Sequence, residues 1–329
     1  MIYYTKGIDK LNKLCILDAH TLGEDADLSI FHKFGHLSIY NATGPDQVVQ
    51  RIKDQDIIIT NKVLLNESNL QLAPEVKLIC ITATGTNNVD LEYCRKRNIT
   101  VTNVVAYSTQ SVVQHTFALL FYLLESLPYY DQYVKSKRYT GSGNFTCLDL
   151  PFWEIQGKTW GIIGLGTIGK KTAEIARAFG CQVLYYSTSG RNNDENYTRV
   201  ELTELLKSSD IVSIHAPLNP QTYNLLQYDQ LKTMKKSAIL LNLGRGGIIN
   251  EGDLARALDE GLIAGAGLDV FEQEPLEAKS PLLNIKNREK LVLTPHIAWA
   301  SVEARQTLLK EVAHNIEAFL SGRWRNAVN

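Results

Sequence analysis

Three polar side chains stand just past apolar runs in the second half of the chain, and their types could together reduce a carbonyl. Arg245 lies in Leu243-Gly244-Arg245-Gly246-Gly247, Glu274 in Leu268-Asp269-Val270-Phe271-Glu272-Gln273-Glu274-Pro275, and His296 in Thr294-Pro295-His296-Ile297. In open α/β sheets, residues beyond the carboxyl ends of strands line the ligand crevice. Singly, each has an ordinary reading: an exposed arginine, a turn glutamate, a hydrogen-bonded histidine. Together, beside a dinucleotide, they supply what a 2-keto acid needs. A planar guanidinium holds the carboxylate and polarises the carbonyl. An imidazole delivers a proton near neutral pH. A carboxylate behind the ring orients it and stabilises its charged form. The expected catalytic set is therefore Arg245, Glu274 and His296, with Arg245 and His296 also touching substrate.

The hydride donor is read from Gly164, Gly166 and Gly169, which follow an apolar strand and open a helical pattern ended by Gly180. Gly164 permits the tight turn, Gly166 lets backbone approach a pyrophosphate, and Gly169 lets helix and strand pack closely. The pyrophosphate then meets free N–H groups at the positive end of the helix. A nucleotide-triphosphate loop is the rival, since Gly164 and Gly169-Lys170 have its spacing. That loop wants Ser or Thr next for magnesium, and Lys171 stands there. At the end of the second strand, where an NAD-preferring site carries an acid for the ribose hydroxyls, the chain reads Tyr186-Ser187-Thr188-Ser189-Gly190-Arg191, with no acid before Asp194. Ser187, Thr188 and Arg191 would accept the 2′-phosphate of NADP; the plain alternative is a polar loop with a solvated arginine.

Short apolar runs alternate with amphipathic segments through nearly the whole chain. Runs at 13–17, 56–60 and 78–81, with helical patterns between them, predict parallel strands buried on both faces. A second series follows at 159–163, 182–186, 211–214, 238–242, 264–268 and 291–293. The expected fold is α/β, with two Rossmann-like domains built on parallel sheets, the second a doubly wound dinucleotide-binding domain. A long helix is expected over 111–125, closed by Pro128, and then a polar arm or linker at 135–144. A last helix at 301–320 is expected to return to the first domain. The boundaries that follow are 1–105 plus 299–329 for a flavodoxin-like substrate domain and 106–298 for the NAD(P) domain. The first 12 residues support no reading.

Composition narrows the class. The 329 residues are 44% apolar and 21% charged, ordinary globular usage with room for two domains. Thirty-four Lys and Arg nearly balance 35 Asp and Glu, so no net field points to nucleic acid or an anionic membrane. No signal-like segment opens the chain, and the strongest apolar run, 117–124, is far short of a bilayer span. Five cysteines without metal-like spacing predict no disulfide framework and no metal site, with Cys15, Cys80 and Cys181 read as buried thiols. A cytoplasmic protein is expected.

The order and spacing of Gly164-x-Gly166-x-x-Gly169, Gly244-Arg245-Gly246, 268–275 and 294–297 resemble those of the D-isomer-specific 2-hydroxyacid dehydrogenase family across nearly the whole chain. The resemblance implies the same catalytic set. It also implies Thr167 and Ile168 at the pyrophosphate, Ala216 and Pro217 as a wall beside the adenine, and Leu243, Gly244 and Arg245 backbone along the cofactor. Asp269 is implied near the nicotinamide carboxamide, and Trp299 is counted among the cofactor residues. Ala83-Thr84-Gly85-Thr86 resembles the family's substrate-carboxylate loop, and N–H groups of Thr84, Gly85 and Thr86 at a helix start would suit an anion. His215 is read as a strand-end residue and His115 as a packed helix residue. Residues 145–149 and 296–301 look most like glycerate dehydrogenases, also called hydroxypyruvate reductases. The expected reaction thus joins NAD(P)H to hydroxypyruvate or glyoxylate, giving D-glycerate or glycolate, in a homodimer assembled through the second domain. D-lactate or phosphoglycerate chemistry, and a dinucleotide-sensing co-repressor role without catalysis, are the alternatives.

Overall fold

The computed structural model describes residues 11–329, so the opening segment lies outside the described residues but for its last two positions. The chain forms two compact units, one reaching Tyr107 and resuming at Val302–Asn329, the other spanning Ser108–Ser301.

In the first unit, β1 (Asn12–Ile16), β2 (Gly35–Ile39), β3 (Ile57–Thr60), β4 (Leu78–Ile81) and β5 (Thr100–Thr102) form one sheet in the order β2-β1-β3-β4-β5. All its pairs are parallel, the flavodoxin-like order. Every residue of β3 and β4 is buried, which is why their unbroken Ile and Leu runs were readable. β2 was not expected: it is a part-buried edge strand that needs no continuous apolar run. The expected helices between these strands are mostly single turns, such as Val48–Ile52 and Glu67–Leu70, or 3-10 segments such as Leu28–Phe34. The last helix, Val302–Leu320, lies against β4 and Leu28–Phe34. Buried Asn315 on that helix donates to the Asn103 carbonyl at 3.1 Å.

The second unit carries β6 (Thr159–Ile163), β7 (Gln182–Tyr186), β8 (Thr198–Arg199), β9 (Ile211–Ile214), β10 (Ile239–Asn242), β11 (Gly265–Leu268) and β12 (Leu291–Leu293). Their order is β12-β11-β10-β9-β6-β7-β8, all parallel. The order reverses beside β6, the switch point where doubly wound sheets hold dinucleotides. Helix Thr109–Leu124 covers one face, packing Val113, Phe117 and Leu120 onto Trp160, Ile162 and Leu241. Leu205, Leu231, Leu254 and Leu258 cover the other. Pro128 does not close a helix. It sits in the first turn of a new one, Leu127–Lys135, where its missing N–H costs nothing, and the break falls at Ser126 in the left-handed region (φ 49°). The segment expected as an arm is therefore partly helical, continuing with Arg138–Gly141.

Four of the five cysteines are buried, and burial pushes the thiols of Cys15 and Cys80 up to about 12, so they stay protonated. No helix among the described residues is long and apolar enough to cross a membrane. No cluster of His, Cys, Asp and Glu among them could hold a metal ion.

Candidate active site

The carboxyl edge of the second sheet gathers the expected residues strand by strand. His296 follows β12, Glu274 follows β11 and Arg245 follows β10, three adjacent strands, whose spacing is about 4.8 Å. Ala216 and Pro217 follow β9, the glycine loop follows β6, and Ser187 follows β7. A ligand lying along this edge would meet them in that order.

The glycine loop fits an anion. Gly164 has φ +93°, and a Cβ there would stand 2.9 Å from the Ala216 nitrogen, so only glycine joins these two loops. A Cβ on Gly169 would meet the Gly164 carbonyl oxygen at 2.2 Å, whereas Gly166 faces open space. Helix Thr167–Ala178 starts from Gly166 with no side-chain cap. The N–H groups of Thr167 and Ile168 thus begin a helix at an exposed cradle, and a pyrophosphate would satisfy them. Leu243 and Gly244 pack beside it, since a Cβ on Gly244 would lie 2.8 Å from the Ala216 carbonyl oxygen.

Around the expected 2′-phosphate position the residues separate. Arg191 is exposed and its guanidinium has no partner among the described residues; Thr188 is half-buried. Ser187 is buried, with its hydroxyl oxygen accepting the Asn192 N–H at 3.3 Å, so it shapes the turn. Asp194, the first acid after β7, is paired with Lys170 at 2.9 Å. That pairing is the first cause holding its carboxyl below the usual range, and it occupies the acid that could have served ribose hydroxyls.

His296 Nδ1 lies 2.7 Å from Glu274 Oε2, and its Nε2 has no partner among the described residues. Glu274 Oε1 accepts the Phe271 N–H at 3.1 Å, so both carboxylate oxygens are engaged and the ring plane is set. An imidazolium held this way presents its remaining N–H outward, as a proton donor must. Arg245 is exposed; its Nη1 donates to the Gly244 carbonyl at 2.8 Å, and the rest of the guanidinium has no partner among the described residues. Asn242, buried at the end of β10, fixes that turn. Its Nδ2 donates to the Arg245 carbonyl at 2.9 Å, and its Oδ1 accepts the Gly244 N–H at 3.0 Å. A buried polar residue ending an apolar strand was the available signal for Asn242, and sequence reading missed it.

Asp269 holds the His296 loop in place, a task that the sequence did not show. It is 1% exposed, and its carboxylate accepts from Thr294 Oγ1 at 2.6 Å and from the N–H groups of Ile297 and Ala298 at 2.9 Å each. These donors bracket His296, whose backbone sits in the left-handed region (φ 53°). That conformation costs a non-glycine residue on the order of 1–2 kcal/mol; the three bonds to Asp269 over-determine the loop and hold it. His115 lies beneath, Nε2 3.0 Å from Thr294 Oγ1 and 3.6 Å from Asp269 Oδ1. Burial lowers its pKa more than Asp269 raises it, so a neutral His115 donates to Thr294, which donates to Asp269. Half-buried Trp299 packs on the same core as helix Thr109–Leu124. His215, at the end of β9, has its pKa pushed down to about 3 by burial and cannot serve as a proton donor at neutral pH.

In the first unit, Thr84, Gly85 and Thr86 follow β4 in a loop and not at a helix start. The next helix, Leu91–Lys96, begins later because Asp90 caps it, accepting the Tyr93 N–H at 2.9 Å. The loop is still rigid: Thr84 Oγ1 donates to the Val104 carbonyl at 2.8 Å, and Asn103 Nδ2 to the Thr84 carbonyl at 2.7 Å. The N–H groups of Thr84, Gly85 and Thr86 donate to no acceptor among the described residues, which suits an anion.

Residues 117–298 match the model of the D-isomer specific 2-hydroxyacid dehydrogenase NAD-binding domain. The chain belongs to the D-isomer-specific 2-hydroxyacid dehydrogenase family. It is similar to a hydroxypyruvate reductase of Blautia hydrogenotrophica, 36% identical over 96% of this chain and 99% of that one. It is also similar to a glycerate dehydrogenase of Methylorubrum extorquens, 37% identical over 96% and 98%. Among solved structures, it resembles an NADPH-dependent glyoxylate/hydroxypyruvate reductase of Sinorhizobium meliloti in complex with NADP and malonate. The TM-score is 0.79 at 26% identity, with 97% of each chain covered. The cradle between β6 and helix Thr167–Ala178 accordingly lies in the family's NAD-binding domain.

Proposed function

We propose that the protein is an NADP-accepting reductase of hydroxypyruvate and glyoxylate, with D-glycerate and glycolate as products. The observation that carries the reading is the imidazole–carboxylate pair at 2.7 Å, its Nε2 unpartnered, on a sheet edge shared with Arg245 and the glycine cradle. The names of the relatives, hydroxypyruvate reductase, glycerate dehydrogenase and glyoxylate reductase, support the substrate class. In this reading Arg245, Glu274 and His296 are the catalytic set. Unit Ser108–Ser301 holds the dinucleotide through Gly166, Thr167, Ile168, Ala216, Pro217, Leu243 and Gly244; in the other unit, taken by itself, the N–H groups of Thr84, Gly85 and Thr86 suit an anion.

A reduced nicotinamide, when bound at this edge, would supply the hydride that the keto carbon takes up. Arg245 orients the substrate carboxylate and draws electron density towards the carbonyl oxygen. His296 gives its Nε2 proton to that oxygen, so hydride plus proton converts C=O to CH–OH, and the ring is left neutral on Glu274. Glu274 holds the imidazole aligned during transfer through its Oε2.

The test is a panel of 2-keto acids assayed with NADPH and NADH. We expect kcat/KM for hydroxypyruvate and glyoxylate to exceed that for pyruvate at least tenfold, and KM for NADPH to be no higher than for NADH. Pyruvate as the best substrate would move the protein to the D-lactate branch, a KM for NADPH far above that for NADH would remove the role given to Arg191, and no turnover with tight dinucleotide binding would favour the co-repressor reading.

We also read the protein as a cytoplasmic homodimer. Helix Leu127–Lys135 and the segment after it expose Leu127, Val134, Phe145, Leu148 and Phe152, an apolar set that a second copy would cover. Sedimentation should give twice the chain mass, and F145D/L148D should halve it. A wild-type monomer at micromolar concentration would refute the assignment.

A further inference from the structure

The segment that carries Arg245 runs on to Glu251 and closes around one peptide of the Glu274 turn. A Cβ on Gly246 would lie 1.8 Å from the Phe271 carbonyl oxygen and 2.4 Å from the Glu272 nitrogen, so the backbone of the Arg245 loop is packed directly on the Phe271–Glu272 peptide. Five residues later Glu251 opens helix Glu251–Asp259, and its Oε1 accepts the Glu272 N–H at 2.7 Å. The next bond in the turn is Phe271 N–H to Glu274 Oε1, and Glu274 Oε2 meets His296. From Glu251 to the imidazole there is thus one short chain of hydrogen bonds and a three-residue turn.

We propose that Glu251 is a positioning residue for the Glu274–His296 pair: its carboxylate clamps the turn through the Glu272 N–H and adds a second negative charge behind the imidazole. The inference rests on the role given to His296 above. A carboxylate is favoured at this place by the first turn of helix Glu251–Asp259, and a glutamine would accept the same N–H without the charge. No lysine or arginine among the described residues pairs with Glu251. The groups around it are acidic or neutral. Glu272 and Glu274 lie in the facing turn, the hydroxyl of Ser280 beside it, Tyr223 donates to Glu272 Oε1 at 3.0 Å, and Asp253 on its own helix accepts the Tyr228 N–H at 3.0 Å. Under the His296 loop stand Asp269 and His115. Burial first, and then Glu272 and Glu274, push the Glu251 carboxyl above the usual range, against the Glu272 N–H and Ser280. His296, which must be cationic to donate, is the group that a charge in this place favours.

The variants E251Q and E251A test it. E251Q keeps an acceptor for the Glu272 N–H and removes the charge; E251A removes both. Two readouts are needed: the pH profile of kcat/KM for hydroxypyruvate reduction, and the pH midpoint of the His296 ring followed by NMR, which requires no turnover. Less negative charge disfavours the imidazolium, and reduction consumes it. For E251Q the basic limb and the ring midpoint should therefore both move to lower pH, by about half a pH unit for one partly solvated charge. Its kcat at the optimum should stay within about twofold. E251A should show the same displacement and about tenfold lower kcat, because the turn is released. An E251Q profile and midpoint that superimpose on the unmodified protein overturn the electrostatic role, and an E251A kcat equal to that of the unmodified protein overturns the clamp. If E251A does not fold, E251Q decides alone. If the unmodified protein reduces no 2-keto acid, the proposed function fails, and the ring midpoint still tests the link between Glu251 and His296.

Discussion

His296→Ala should lower kcat/KM for 2-keto acid reduction by about 10³-fold while leaving dinucleotide affinity within about twofold. General acid catalysis by a placed side chain contributes on the order of 10²–10⁴-fold, and His296 has the free ring nitrogen for it. The substitution should be clean. The loop is held by Thr294 Oγ1 and the N–H groups of Ile297 and Ala298 on Asp269, none of which belongs to the residue replaced. The remaining rate should lose the basic limb that a titrating imidazole imposes on reduction. Steady-state kinetics across pH, with dinucleotide binding followed by fluorescence, measure both quantities. A variant within tenfold of the unmodified protein at neutral pH would show that another group supplies the proton.

Arg245→Ala should raise KM for the keto acid and lower kcat together, for a combined loss in kcat/KM on the order of 10²–10³. Removing one preorganised donor from developing oxyanion charge costs about 3–4 kcal/mol, and a clamp on the carboxylate acts in the ground state too, so both constants suffer. The turn should survive, because Asn242 grips the Arg245 carbonyl and the Gly244 N–H through backbone atoms. Arg245→Lys should recover only part of the loss: an ammonium is a point charge and cannot match a carboxylate with two parallel bonds. Kinetics of the three forms with hydroxypyruvate decide it. A change confined to KM would leave Arg245 as an anchor for the carboxylate with no part in polarising the carbonyl.

The features legible along the chain are those whose physics is local. The glycine loop could be read because each glycine answers a steric demand, and a Cβ at Gly164 or Gly169 would indeed collide with neighbouring backbone. β3, β4, β9 and β10 could be read because strands buried on both faces must be apolar throughout. The edge strands β2 and β8 and the short β5 escaped, since a half-exposed or two-residue strand carries no such pattern. Pro128 misled because the same ring that ends one helix is welcome in the first turn of the next.

Residue types and order along the chain single out Arg245, Glu274, His296 and the dinucleotide loop as candidates, because chemistry constrains side-chain identity directly. What holds them belongs to the tertiary structure. The order β12-β11-β10 sets the three side chains on neighbouring strands. His115 reaches Thr294 across 179 positions, and Glu251 reaches the Glu272 N–H across 21. Asp269 is turned inward as the anchor of a strained loop. Such contacts follow from how sheet and helices pack, and a packing partner distant in sequence leaves no spacing to read.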